Sequence, residues 1–225
     1  MNVDSLLKKY GSQVDYLEVR FVESFESIIC LDNGELTRVC LPYEKGYSVR
    51  VFHKGAWGFA SSVRINDDLF KRAVKIASVL GRGKRTELNK PSSLGKFKIR
   101  VKKKFSDVDI SEKIKAIREI DKWSSKLSKR IKSRQIRYVD STIKKHIVDS
   151  LGNEVEEELP RVRLSMLAVA KEGNVMQESF ESFDRVGGYE TFERFDWENL
   201  VVNVVNEAIS LLKAKEAPTG KLNIL

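Results

Sequence analysis

Apolar and polar residues alternate along "KGYSVRVFHKGAWGFASS" (45–62), reverse at a glycine and alternate again, the period of two paired β-strands. With Lys54 and Gly55 as a two-residue loop, His53 faces Ala56, Phe52 faces Trp57, Val51 faces Gly58, Arg50 faces Phe59 and Val49 faces Ala60. One face of this hairpin sets large residues of the first strand against Gly58 and Ala60 of the second. That leaves a hollow which a covering element can approach closely.

The next segment supplies the cover. Asn66 is placed to cap a helix over "DDLFKRAVKIASVLG", Asp67 and Asp68 suit its positive end, and Leu69, Ala73, Ile76, Ala77 and Leu80 recur at helical spacing. Gly81 reads as a left-handed stop. Upstream, "ESIICLDNGELTRVCL" reads as a hairpin turning at Asn33 and Gly34. In that register Cys30 faces Thr37 and Cys40 faces Ser27, which separates the thiols onto different faces and predicts no disulfide.

The pattern then repeats. Gly34 and Gly55 recur 118 positions later as Gly152 and Gly173, and "IRYVDSTIKKHIVDS", "EVEEELP", "RVRLSMLAVA" and "VMQESFESF" follow the order of the first set of strands. The second set also ends in a helix, "DWENLVVNVVNEAISLLKAKE", capped by Asp196 and carrying Leu200, Val204, Ile209 and Leu212 among its apolar positions. Between the sets lie a linker "GRGKRTELNKPSSLG", a strand over 96–103 and a helix over 111–130 with Ile114, Ile117, Ile120, Trp123 and Leu127 on one face. The second set inserts "DRVGGYETFERF" before its helix, a long loop of the kind that carries function or merely connects. The fold class is therefore α+β: two related strand–hairpin–strand–helix units, with antiparallel sheets covered by helices. The expected organisation is a first α/β unit at 1–82, a linker, strand and helix at 83–133, and a second α/β unit at 134–225, together one compact domain.

At 225 residues and 41% hydrophobic content the chain can bury a substantial core. It holds no apolar run of the roughly 18 residues a membrane span needs, and "MNVDSLLKKYG" lacks the apolar stretch of a secretory signal, so a cytoplasmic location and no membrane partner are expected. The net charge is +9, concentrated in "KFKIRVKKKF" (96–105) and "SKLSKRIKSRQIR" (125–137). Such stripes attract phosphate backbones, yet charge at this density more often marks a heavily solvated surface, and clustered stacking aromatics or a nucleic-acid motif are missing.

Catalytic chemistry is sparse. "GRGK" at Gly81 follows a helix and lacks the phosphate-loop pattern. His53 sits at a hairpin tip and His146 beside Lys144 and Lys145; with Cys30 and Cys40 they form no four-ligand zinc set. The acidic run at 154–158 reads as a solvated strand edge rather than a cation site. No catalytic, cofactor-binding or metal-binding residue is assigned.

"YLEVRFVES", "DNGEL", "KGYSVRVFHKGAWGFASS" with its following helix, "RVGGYE" and "KEAPTGKLNIL", in this order, resemble the N-terminal half of the TldD/PmbA family, zinc-dependent peptidases also described as modulators of DNA gyrase. The resemblance covers nearly the whole chain, with "GAWGFAS" its most specific element. It implies that zinc binds in a C-terminal half, on a helix carrying HExxxH, where two histidines one turn apart hold the metal and the glutamate activates water. That motif is absent here, and Leu225 falls in what resembles the strand before that helix. No cofactor is therefore expected in this chain; zinc is expected only in a C-terminal half or a partner subunit.

The implied role is an accessory N-terminal domain of a peptidase involved in proteolysis or peptide maturation, inactive alone, which helps to form a substrate chamber or a dimer. Expected partners are a TldD/PmbA-type subunit in a homo- or hetero-oligomer and unfolded peptide, which an edge strand can pair. Weak, nonspecific contact with nucleic acid is compatible with this reading; the alternative is a basic stand-alone nucleic-acid-binding module. "KLNIL" reads as the start of a strand, placing Leu222, Ile224 and Leu225 near a contact or leaving them to fray.

Overall fold

A computed structural model describes residues 3–84, 94–215 and 219–221. The linker's middle and the terminal residues Leu222, Ile224 and Leu225 lie outside the described residues. In chain order the elements are α1 (Val3–Gly11), β1 (Tyr16–Asp32), β2 (Glu35–Cys40), β3 (Tyr43–His53), β4 (Ala56–Ser62), α2 (Asp67–Leu80), β5 (Leu94–Lys98), α3 (Ile110–Ser124), β6 (Ile131–Asp149), β7 (Glu154–Glu172), β8 (Val175–Val186), α4 (Tyr189–Glu193) and α5 (Trp197–Leu211). The α+β class holds. The strands of both units lie in one sheet: β4, β3, β1, β6, β7 and β5 run side by side, with β2 also on β1 and β8 also on β7.

The hairpin of β3 and β4 has the expected register, from His53 opposite Ala56 to Val49 opposite Ala60. Lys54 and Gly55 both turn with positive φ (49° and 83°), the mirror-image turn whose twist matches the strands. The hollow is filled by α2. A Cβ placed on Gly58 would lie 2.1 Å from the Ala73 carbonyl oxygen and 2.7 Å from the Ala77 nitrogen, so the helix backbone rests directly on the glycine.

Asn66 caps α2 by accepting from the Leu69 amide at 3.0 Å, and Leu69, Ala73 and Ala77 are buried. Two expectations fail here. Ile76 and Leu80 are exposed, and Phe70 enters the core in their place, because the helix lies so close to the sheet that the buried stripe shifts toward its N-terminal turn. Gly81 ends the helix in an extended conformation (φ −72°), not a left-handed one; it is small because a Cβ would meet the His53 carbonyl oxygen at 2.5 Å.

In the second unit "EVEEELP" and "RVRLSMLAVA" form the single strand β7, where their counterparts β2 and β3 are separated at Leu41 and Pro42. The strand expected over 96–103 ends at Lys98, and α3 stops at Ser124, leaving Leu127 exposed beyond it. The acidic run is no free edge, since β5 pairs parallel to it from Leu94 opposite Glu154 to Lys98 opposite Glu158.

The two units join through β1 and β6. Ser24 opposes Ile143, and about that pair Val19 opposite Val148 corresponds to Tyr138 opposite Ile29, all four buried. An antiparallel ladder centred in this way relates the units by an approximate two-fold axis normal to the sheet, passing through the Ser24–Ile143 pair and relating residues 119 positions apart. Both covering helices consequently lie on the same face. The first core gathers α1, α2, Leu17, Val19, Val49, Val51 and Val148; the second gathers α3, α4 and α5 over Ile29, Leu31, Tyr138 and Leu164. Each of the long strands β1 and β6 contributes to both cores.

Candidate functional site

Between the two helical layers the middle of the sheet is left open, and there a groove of about 690 Å³ lies near the pseudo-two-fold axis. Its floor is one cross-strand row, Tyr43, Phe25, Thr142 and Pro160, contributed by β3, β1, β6 and β7. Pro42 and Pro160 lie toward opposite ends of that row. One wall is a strap, residues 99–104, that leaves β5 and crosses the face before the short 3-10 turn Phe105–Asp107.

The strap is held by the inserted "DRVGGYETFERF" segment, which thereby proves to be neither a free loop nor a mere connection. The Glu190 carboxylate accepts from the amides of Lys102 and Lys103 at 3.0 Å each, and the Tyr189 amide donates to the Lys103 carbonyl at 2.8 Å. A Cβ at Gly188 would meet that carbonyl oxygen at 2.3 Å, so glycine permits the crossing. Burial opposes ionisation of Glu190, but the amides it accepts from outweigh that and hold its carboxyl below the ordinary range. Tyr189 is buried, and that burial, with Glu112 and Glu193 nearby, pushes its phenol up to about 12.

Beneath the groove lies a buried ionic cluster. Lys113 of α3 donates to Asp140 Oδ2 at 2.7 Å and to Ser27 Oγ at 3.2 Å, and the Tyr138 hydroxyl donates to the same Asp140 oxygen at 2.7 Å. Lys113 and Asp140 are 3% and 2% exposed, so their charges neutralise each other out of water. Burial, and then the Asp140 charge, push the Tyr138 phenol far above its usual range, which keeps it a donor. Sequence reading missed this cluster; Asp140 opposite Ser27 on paired strands next to an apolar helix face was its only trace.

His53 is not at an open tip. It packs beside Asp15, with Nδ1 3.5 Å from Oδ1. His146 Nε2 lies 2.9 Å from Glu154 Oε1, and one ligand atom from each of His146, Glu154 and Glu156 falls within 4.8 Å of the others. Glu156 is already bound by Lys96 at 3.0 Å, and His146 and Glu154 are largely exposed and engaged with each other. Three ligands so engaged do not fit a resident zinc, which needs at least three free protein ligands in a shaped site. The cysteines also differ from expectation: a bulge at Thr37 pairs Cys30 with Arg38 and Cys40 with Ile28, which brings both thiols to one face, and both are free.

The basic stretches are extensively partnered. Lys98 meets Glu158 at 2.7 Å, Lys103 meets Glu193 at 2.8 Å, and Arg134 meets Asp121 at 3.2 Å. On the sheet face away from the helices, Trp57 and Phe59 of the "GAWGFAS" strand stand 49% and 57% exposed. No helix among the described residues is long and apolar enough to cross a membrane.

Comparison with known proteins agrees with this architecture. The family model for the PmbA/TldA metallopeptidase domain 1 matches residues 17–77, and that for the PmbA/TldA metallopeptidase central domain matches residues 103–214. A metalloprotease of Methanocaldococcus jannaschii is 30% identical over 220 residues, 94% of this chain and 48% of that protein. The zinc metalloprotease TldD homolog of Saccharolobus solfataricus is 26% identical over 182 residues, 81% of this chain and 40% of that protein. TldE from Thermococcus kodakarensis shares the fold, with a TM-score of 0.71, 15% identity, and coverage of 93% of this chain and 47% of that one. The chain spans about half the length of the curated relatives it matches. By these matches it belongs to the PmbA/TldD family of metallopeptidases, over the part of the family carried by domain 1 and the central domain.

Proposed function

We propose that this chain is the accessory N-terminal portion of a TldD/PmbA-type zinc peptidase, acting in proteolysis or peptide maturation and inactive by itself. The observation that carries the reading is a pairing of presence and lack: the two N-terminal family domains are matched, while the sequence contains no HExxxH and its two histidines lie on separate strands. Zinc and the water it activates belong, on this reading, to a C-terminal half or partner subunit. The groove and the uncovered sheet face are then the surfaces that meet peptide and partner, in the cytoplasm. The chain divides functionally into the units 1–82 and 134–225, with 83–133 supplying the groove wall.

The test is reconstitution. Purified chain, an HExxxH-bearing family subunit, and the two combined are compared for cleavage of an unfolded peptide. Activity that needs the combination, and is lost on chelation, is expected. Chelator-sensitive cleavage by the chain alone overturns the reading. The nucleic-acid alternative draws little support, because acidic side chains already engage many cations of the basic stretches.

A further inference from the structure

The pseudo-two-fold axis maps residues 154–158 of β7 onto β2, where residues 35–39 lie 119 positions earlier. The two segments do not share the same surroundings. The outer edge of 154–158 is covered by β5, which runs parallel to it and continues past Lys98 into the groove wall. β2 pairs only with β1 among the described residues, and its outer edge is unpaired. Leu36, Val39 and Leu41 are 37%, 41% and 62% exposed along it. Among the described residues, one strand position of an otherwise symmetric sheet is unfilled.

We propose that this position receives an extended peptide, paired parallel to β2, whose free C-terminal carboxylate ends in the groove. The inference rests on the peptidase-accessory reading and specifies its ligand. Direction follows from symmetry. β5 runs toward Pro160 and then enters the groove from one side; a strand placed identically against β2 runs toward Pro42 and enters from the other, C-terminal end first. Alternate side chains of the peptide must be apolar, since Leu36 and Val39 share the helix-bearing face with Leu31 and Ile29, their partners on β1.

Charge determines which peptide terminus fits. In the groove Lys98 is neutralised by Glu158, Asp140 by Lys113, and Lys144 lies 3.7 Å from Glu23. Arg100 and Lys104, both on the strap and exposed, enter no ion pair or side-chain hydrogen bond among the described residues. Two unpaired cations beside an apolar floor of Phe25, Tyr43 and Pro160 complement a carboxylate attached to an apolar residue. Of the acidic residues lining the groove, Glu158 and Asp140 are paired with lysines, and Glu26, in no ion pair among the described residues, is outnumbered by these two cations.

The experiment uses the full chain and a fluorescein-labelled hexapeptide with leucine or valine at alternate positions, prepared as the free acid and as the C-terminal amide. Anisotropy should show the acid binding about tenfold more tightly than the amide, the scale of one charge-assisted pair. The double variant R100Q/K104Q should abolish that preference while its unfolding midpoint stays unchanged. N-methylation of alternate peptide amides along one edge should weaken binding further, which separates strand pairing from insertion of the end alone.

Equal affinity for acid and amide overturns the proposal, as does a preference that survives R100Q/K104Q, or no binding at all. Light scattering that shows a dimer, with hydrogen exchange protection at residues 36–41 that peptide does not change, overturns it in favour of a second copy on the edge. Reconstituted cleavage of amidated peptides remains possible in every one of these cases, so the accessory reading stands or falls separately.

Discussion

The two units share a topology and solve its packing problem differently. In the first, room for the helix is made on the fourth strand: Gly58 and Ala60 admit the backbone of α2, and the core needs little besides α1 and α2. In the second, the exposed Gln177 opposes Ala170 where Gly58 opposes Val51 in the first, and the small residues are Ala168 and Ala170 on β7. There α5 shares the face with α3 and α4, Trp123 meets Trp197 edge to face at 5.5 Å, and a buried ion pair is enclosed. A duplicated architecture constrains where helices lie, while close approach and added layers are interchangeable ways of removing the same water.

The largest effect expected from breaking this comparison is in the second unit. Lys113→Met leaves Asp140 charged and buried without its partner, and should destabilise the chain by about 3–5 kcal/mol. Urea denaturation measures it, and the double change K113M/D140L should recover most of the loss. A single variant as stable as the original would mean that the pair is not sequestered from water.

Next in size is the first unit's close approach. Gly58→Val places methyl groups inside the backbone of α2 and should cost about 3 kcal/mol, the upper part of the overpacking range. Gln177→Val, the corresponding position in the second hairpin, should stay within about 0.5 kcal/mol, as exposed sites do. Equal shifts in denaturation midpoint at the two sites would contradict the difference described here.

Smaller and nearly equal losses are expected at the two caps. Asn66 accepts from the Leu69 amide and Asp196 from the Asn199 amide, each at 3.0 Å, so Asn66→Ala and Asp196→Ala should each cost about 1 kcal/mol in thermal unfolding. A marked inequality would show that one helix is held by packing alone.

The smallest effect concerns the strap. The Glu190 carboxyl is held below its unfolded value, so its contribution to stability is present above the ordinary carboxylate range and is lost as pH falls through the depressed value. Acid titration of hydrogen exchange at Lys102 and Lys103 should reveal release of the strap at low pH. Glu190→Gln should expose these amides already at neutral pH, and unchanged protection in that variant would refute the latch.

Much of the first unit was legible. Alternation, a Lys-Gly turn and the large-against-small pairing specify the register of β3 and β4, because a shift of one residue would turn every apolar side chain outward. Caps at Asn66 and Asp196 were readable for the same reason: they are local hydrogen bonds between residues three apart. The groove was not legible. Its floor row comes from four strands distant in sequence, and its strap is held by Glu190, which lies 88 residues from Lys102.

Errors followed the same division. The bulge at Thr37 moved the cysteines to a common face, since one extra residue inverts the alternation beyond it. The acidic run looked like an edge because nothing local reveals that β5 will pair with it. Leu80 looked like core because helical spacing shows a stripe without showing how deeply the helix sits.

The sequence by itself determined the two units, their repeat, the hairpins and caps, and the family resemblance, all of which rest on periodicity, on turns and on contacts between near neighbours. Only the tertiary structure decided that β1 and β6 fuse the units into one sheet, that Lys113 and Asp140 neutralise each other, and that a groove opens near the axis between them, with one strand position beside it unfilled among the described residues. These depend on which surfaces remain after distant segments have excluded water from one another, and no local pattern encodes that remainder.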